Sequence, residues 1–269
     1  MKIGSRRFAA TVATLAVGAI SVLGACTPAP SARPVVGIYG DSMAFQSAPW
    51  SDGPLIAAGH PVASFRFPGL AACDLVRPIT DDLKSKVKRP SVVVVVTTGN
   101  SLTPCMKVDP SNTAAAGSAA YFEKYRAALD QIATVTDAAG VPFVFTWGPM
   151  PGPKLTLWNQ SNHLKLVADG VAAAHTTMVV RDTGAVVLDA DGQIAPEMAC
   201  TPEESSLPSC VDGRVRIRNS VLDPHFYCPV SQSLPSGWPR ACPLDSPGGR
   251  RYGNELARVA LAALSPGSS

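Results

Sequence analysis

A chain of 269 residues, 46% of them hydrophobic and 16% charged, is long enough to bury one substantial core and short for two, so one main domain is expected. Its formal charge of +3 misleads, because three of the 23 basic residues, Lys2, Arg6 and Arg7, sit in an N-terminal segment with no acidic residue. The other 20 face 20 acidic residues, which leaves no basic footprint for nucleic acid.

Those three charges precede an uncharged Ala/Val/Leu-rich run over residues 8–22, closed by Leu23, Gly24, Ala25 and Cys26. This is the layout of an export signal. Its end resembles the bacterial lipobox, which implies a lipoprotein signal peptide over residues 1–25 and a lipid on Cys26. A simple secretory cleavage site wants a small residue where Leu23 stands, and a retained membrane span fits poorly with so many Ala, Gly and Thr. Ser5, Arg6, Arg7 and Phe8 resemble a twin-arginine signal only faintly. Residues 26–34, rich in Pro, Ala and Ser, suit a short tether, and residues 35–266 are left for the domain. The domain is therefore expected outside the cytoplasmic membrane, lipid-anchored to its outer face at the cell envelope, with secretion as the alternative.

Val35, Val36, Ile38 and Tyr39 predict a first strand, ended abruptly by Gly40, Asp41 and Ser42. Taken alone, Asp and Ser here read as turn and N-cap residues. A mixed segment leads to a second strand over residues 61–65, which opens into Arg66, Phe67, Pro68, Gly69 and Leu70; helical spacing follows over residues 79–87. Five consecutive valines, residues 92–96, read as a strand buried on both faces, as in parallel sheets, and end at Thr97, Thr98, Gly99 and Asn100. A long amphipathic helix is predicted over residues 114–139, stopped by Gly140, then a strand over residues 141–147. A helix over residues 162–174 leads to a strand over residues 178–180. Regular periodicity then disappears from residue 191 to residue 247, and a last helix spans residues 250–264. Strand followed by helix, repeated four or five times, argues an α/β domain with three layers, α/β/α, around a central and mainly parallel sheet.

Beyond Cys26 six cysteines remain, an even set expected to be bridged outside the cytoplasm. Nearness in sequence pairs Cys200 with Cys210 and Cys228 with Cys242, which leaves Cys73 for Cys105. No Cys-x-x-Cys or Cys/His cluster has zinc spacing, so no metal site is expected.

The blocks at the strand ends, Gly40-Asp41-Ser42, Gly69 and Gly99-Asn100, are joined by Asp223-Pro224-His225 inside the cysteine-rich stretch. In that order and placement they resemble the SGNH hydrolases, the GDSL-type esterase family, over residues 35–264. The resemblance implies a flavodoxin-like fold without a cofactor, Ser42 as nucleophile and His225 as its base. It also implies an oxyanion hole made by the backbone N–H groups of Ser42 and Gly69 and the side-chain amide of Asn100. The family places its catalytic Asp three residues before the His, where this chain has Leu222. Asp223, two before, is the candidate, and a Ser–His dyad is the alternative. Gly99-Asn100-Ser101 also departs from the family's frequent Gly-Asn-Asp. The remaining histidines, His60, His163 and His175, are expected to be surface or structural.

A closer likeness is to exported actinobacterial members and to domains attached to membrane acyltransferases, where, as here, a cysteine follows the Gly block (Cys73) and cysteines bracket the His block. The function this implies is a serine esterase of the carboxylesterase or acetylesterase type, a monomer removing short acyl groups from glycans or lipids of the envelope. An O-acyltransferase on envelope glycans and a non-catalytic binding module that keeps the fold are the alternatives.

Overall fold

The computed structural model describes residues 33–148, 157–190, 192–218, 225–229, 242 and 245–265, with the side chains of residues 157–162 left aside. Its centre is a five-stranded sheet in the order β2-β1-β3-β4-β5, every pair parallel. The strands are β1 (Val36–Gly40), β2 (Val62–Arg66), β3 (Val92–Val96), β4 (Phe143–Trp147) and β5 (Met178–Asp182). β1 and β3 are buried along their whole length, which is why they read as unbroken apolar runs.

Alternation along the strands sorts the core into two layers. Tyr39, Val93, Val95, Phe143 and Phe145 face helices α2 (Ala72–Lys84), α3 (Ala119–Ala139) and α4 (Leu157–Ala172). Val36, Ile38, Val92, Val94 and Val96 face helices α1 (Ser42–Ala57) and α5 (Pro247–Leu264). The expected three-layer α/β/α domain with a parallel sheet is the observed one.

Four elements differ from their sequence expectation, one of them α4, which starts at residue 157 rather than 162. The segment after Ser42 is a 16-residue helix, hidden in the sequence by Pro49 and Pro54 inside it. Each proline removes a backbone donor, and the helix persists because its Met43, Ala44 and Leu55 are buried against the sheet. α2 starts a full turn or more before the predicted residue 79. The buried stripe is Leu75, Ile79 and Leu83, at helical four-residue spacing, whereas Val87 is exposed. Asp74 turns back to accept the Ala71 N–H at 2.9 Å and so fixes that start. α3 begins at residue 119 rather than 114, because the Ser118 hydroxyl caps it by accepting the Tyr121 N–H. Within the irregular stretch, β6 (Glu197–Ala199) and β7 (Arg214–Arg216) form a small antiparallel pair.

All three expected disulfides are present: Cys73–Cys105, Cys200–Cys210 and Cys228–Cys242. Such a set belongs to an oxidising, extracytoplasmic environment. Among the described residues no helix is long and apolar enough to cross a membrane. Cys26, with the rest of the predicted signal and tether up to residue 32, lies outside the described residues.

α5 approaches α1 closely through its glycines. A Cβ on Gly253 would lie 2.7 Å from the Ser47 carbonyl oxygen and 2.9 Å from the Ser51 nitrogen, both backbone atoms of α1. Gly253→Ala is therefore expected to destabilise the protein despite alanine's better helix propensity. The propensity gain is about 1 kcal/mol, and overpacking against rigid backbone costs about 1–3 kcal/mol. Thermal unfolding of this variant would show a lowered Tm; an unchanged or raised Tm would mean that the two helices separate freely.

Candidate functional site

The chain leaves β1 for β2 on one side and then crosses to β3 on the other, so the strand order reverses between β1 and β3. In an open parallel sheet the crevice beyond the carboxyl ends of two such strands is where ligands bind. Gly40-Asp41-Ser42 leaves β1 at this point, and Thr97 to Asn100 leave β3 beside it. Gly69 lies in the turn after β2, the next strand outward.

Asp41 is the N-cap of α1. Its Oδ1 accepts the Met43 N–H at 3.0 Å, which leaves Ser42 as the first residue of the helix. The hydroxyl thus stands at a helix N-terminus, where unpaired N–H groups and the helix dipole favour negative charge. Ser42 is 8% exposed, and among the described residues no group hydrogen-bonds its hydroxyl.

The other carboxylate oxygen of Asp41 reaches across to β3. Oδ2 accepts the Thr98 N–H and the Thr98 hydroxyl, both at 2.6 Å, and the Asn100 side-chain amide at 3.1 Å. Burial pushes the Asp41 carboxyl above its ordinary range, opposed by the hydrogen bonds from Thr98 and Met43 and by the charge of His225. The Asn100 amide also donates to the Leu70 carbonyl at 3.2 Å, so the loops after β2 and β3 meet at this side chain.

Two buried tyrosines of α3 hold the Asn100 loop from behind. The Tyr121 hydroxyl donates to the Gly99 carbonyl and the Tyr125 hydroxyl to the Asn100 carbonyl, each at 2.8 Å. Burial pushes both phenols far up, so they act as donors at any ordinary pH. Gly99 has φ +92°, and a Cβ there would meet the Tyr121 hydroxyl at 2.5 Å, so conformation and space both demand glycine. Gly69 has φ +85° with open space in front of it; only the conformation demands glycine there, and the backbone is left bare to an approaching ligand.

His225 arrives from the cysteine-rich segment. The next residue, Phe226, donates its N–H to the Gln46 side-chain oxygen at 3.2 Å, and Gln46 lies one turn beyond Ser42 on the same face of α1. The Phe226 ring is buried against Tyr252 of α5, and the Tyr227 N–H donates to the Ile217 carbonyl at 2.8 Å. Cys228–Cys242 anchors the strand of chain leaving the histidine. His225 is thus close enough for its charge to be felt at Asp41. Asp223 and Leu222 lie outside the described residues, as do residues 149–153, which the sequence offers as a cleft wall.

The other three histidines stand elsewhere. His60 contacts the Pro34 carbonyl, His163 packs edge-on against Phe122, and His175 sits between Asp130 and Asp137 where α3 meets β5. Cys73, Asp74 and Cys105 lie together, but both sulfurs are joined in the disulfide and offer no thiolate. A cavity of about 230 Å³ lined by Pro142, Thr177 and Arg258 lies beside β4 and β5, against the last turns of α5, and holds none of these groups.

Sequence reasoning named Ser42, Gly69, Asn100 and His225 and missed the groups that hold them: Asp41, Thr98, Gln46, Tyr121 and Tyr125. Asp41 was visible only as a capping residue. Tyr121 and Tyr125, four apart on one predicted helix face, were the available signal for the rest, because buried phenols need partners.

No protein-family model matches the chain, and no curated protein matches its sequence. Among solved structures it is similar to SGNH and GDSL-type hydrolases at low identity. A Bacteroides fragilis protein assigned as an acylhydrolase is 11% identical, with 87% of this chain and 92% of that one covered and a TM-score of 0.45. An assigned SGNH hydrolase of Slackia heliotrinireducens is 14% identical over 61% of this chain and 92% of that one, with a TM-score of 0.40. The esterase EstA of a Pseudoalteromonas species is 12% identical over 59% and 85%, with a TM-score of 0.37.

Proposed function

We propose that this chain is a serine ester hydrolase of the SGNH type, exported and held by a lipid on Cys26, that removes short acyl groups from glycans or lipids of the cell envelope. The observation that carries this reading is the meeting of Ser42, Asn100 and the Gly69–Leu70 turn at one switch point, tied together through Asp41.

In the proposed reaction the Ser42 oxygen attacks the ester carbonyl carbon while its proton passes to the imidazole of His225. The carbonyl electron pair moves onto oxygen, and the resulting oxyanion is held by the N–H groups of Ser42 and Gly69 and by the Asn100 amide. Preorganised donors of this kind are each worth roughly 3 kcal/mol of barrier. Collapse breaks the ester C–O bond, the leaving alkoxide takes the proton from His225, and an acyl-serine remains. Water, deprotonated by the same histidine, then releases the acid. Asp223, or a backbone carbonyl in a Ser–His dyad, orients the ring.

Hydrolysis of p-nitrophenyl esters from acetate to octanoate by the signal-free protein, beside labelling by a fluorophosphonate, tests the reading. Cleavage that favours the short esters, with the label on Ser42, is the expected result. A folded protein that cleaves none of them and takes up no label is not a hydrolase and fits a binding module. Labelling of Ser42 without ester hydrolysis would point to an acyltransferase that needs its own acceptor.

A further inference from the structure

The Asn100 amide has two hydrogens, and the geometry gives both a partner inside the protein: the Asp41 carboxylate at 3.1 Å and the Leu70 carbonyl at 3.2 Å. These partners differ in kind. Asp41 is fully buried and its Oδ2 is fixed by two further donors at 2.6 Å from Thr98, so that oxygen cannot move away. The Leu70 carbonyl belongs to the turn just after Gly69, whose open side offers space to a ligand. A neutral carbonyl is also the weaker acceptor of the two.

We propose that Asp41 is a positioning residue for the oxyanion hole: its carboxylate pins one hydrogen of the Asn100 amide so that the other is aimed at the oxyanion, and the Leu70 carbonyl occupies that second hydrogen until substrate arrives. This rests on the hydrolase reading above. An acceptor-only carboxylate is what the place requires, since its four neighbours, the Met43 N–H, the Thr98 N–H, the Thr98 hydroxyl and the Asn100 amide, all donate.

Asp41→Asn separates this role from helix capping, because asparagine caps a helix as well as aspartate does. The new amide would cap through its oxygen but turn its own N–H₂ toward the Asn100 donor. The test is a cycle of Asp41→Asn, Asn100→Ala and the double variant, read as kcat and KM on p-nitrophenyl acetate and as the rate of fluorophosphonate labelling. Each single change is expected to lower kcat by about 10²–10³-fold, the loss typical of one oxyanion donor, with KM nearly unchanged. The double variant is expected to lose no more than about threefold beyond either, because the two residues act as one unit. Losses that multiply in the double variant, or wild-type kcat in Asp41→Asn, would overturn the proposal while leaving the hydrolase reading intact. An inactive wild type with Ser42 unlabelled overturns both. Should Asp41→Asn fail to fold, Thr98→Val takes its place in the cycle: it removes one donor from the carboxylate and leaves the cap, and the same non-additivity with Asn100→Ala is expected.

Discussion

Ser42→Ala is expected to lower kcat for p-nitrophenyl acetate by on the order of 10⁴–10⁶-fold with little change in KM. His225→Ala is expected to cost about as much, and the double variant scarcely more, since a base without its nucleophile accelerates nothing. Residual turnover in all three comes from the oxyanion donors, which remain. The alanine at position 42 leaves the protein folded: the N-cap is Asp41, whose side-chain Oδ1 accepts the Met43 N–H, a contact that the substitution does not touch. A Tm close to wild type is therefore the control, and steady-state kinetics at protein concentrations set by absorbance is the measurement, with loss of fluorophosphonate labelling beside it. Ser42→Ala activity above about a hundredth of wild type would remove the serine from the chemistry, because removing a triad nucleophile does not leave that much. Wild-type activity in His225→Ala alone would instead leave Ser42 with another base.

The part of this arrangement that was legible in the sequence is the part written in local patterns. Val92 to Val96 announces a doubly buried strand, Gly140 stops a helix, and two pairs of cysteines lie near enough in sequence to be matched, which leaves the third pair over. Ser42, Gly69 and Asn100 stand out because each follows a strand, where a parallel sheet gathers its polar ends. What the sequence hid depends on contacts between distant segments. α1 carries two prolines that local propensity reads as breaks, and only burial against the sheet and α5 outweighs them. Asp41 looks like a cap until Thr98 and Asn100, 57 and 59 residues later, are folded onto its second oxygen. Gln46 gains its meaning only when a backbone N–H 180 residues away arrives on it. Each is a polar group buried by tertiary structure, and its partner cannot be chosen from spacing.

Removing the Cys73–Cys105 bridge with Cys73→Ala and Cys105→Ala together is expected to lower both stability and turnover. The bridge joins the first turn of α2 to the short 3₁₀ turn Pro104–Met106, across a sequence separation of 32. Constraining a loop of that length in the unfolded chain is worth about 3–4 kcal/mol. In a domain of this size that is a Tm lower by roughly 10 °C. The effect on turnover follows from position. Cys73 lies four residues after Gly69 and Cys105 five after Asn100, so the bridge closes the span between the turn bearing one proposed oxyanion donor and the loop bearing another. The hydrogen bond from Asn100 to the Leu70 carbonyl spans the same gap and is too weak alone to hold it. Without the bridge the two donors lose their mutual spacing, and kcat is expected to fall by about tenfold while KM holds, because misplaced oxyanion donors cost the transition state and not the ground state. Calorimetry and steady-state kinetics on the double variant read the two effects separately. A lowered Tm with unchanged kcat would confine the bridge to stability, and the tyrosines of α3, gripping the Gly99 and Asn100 carbonyls from the other side, would then suffice to set the loop.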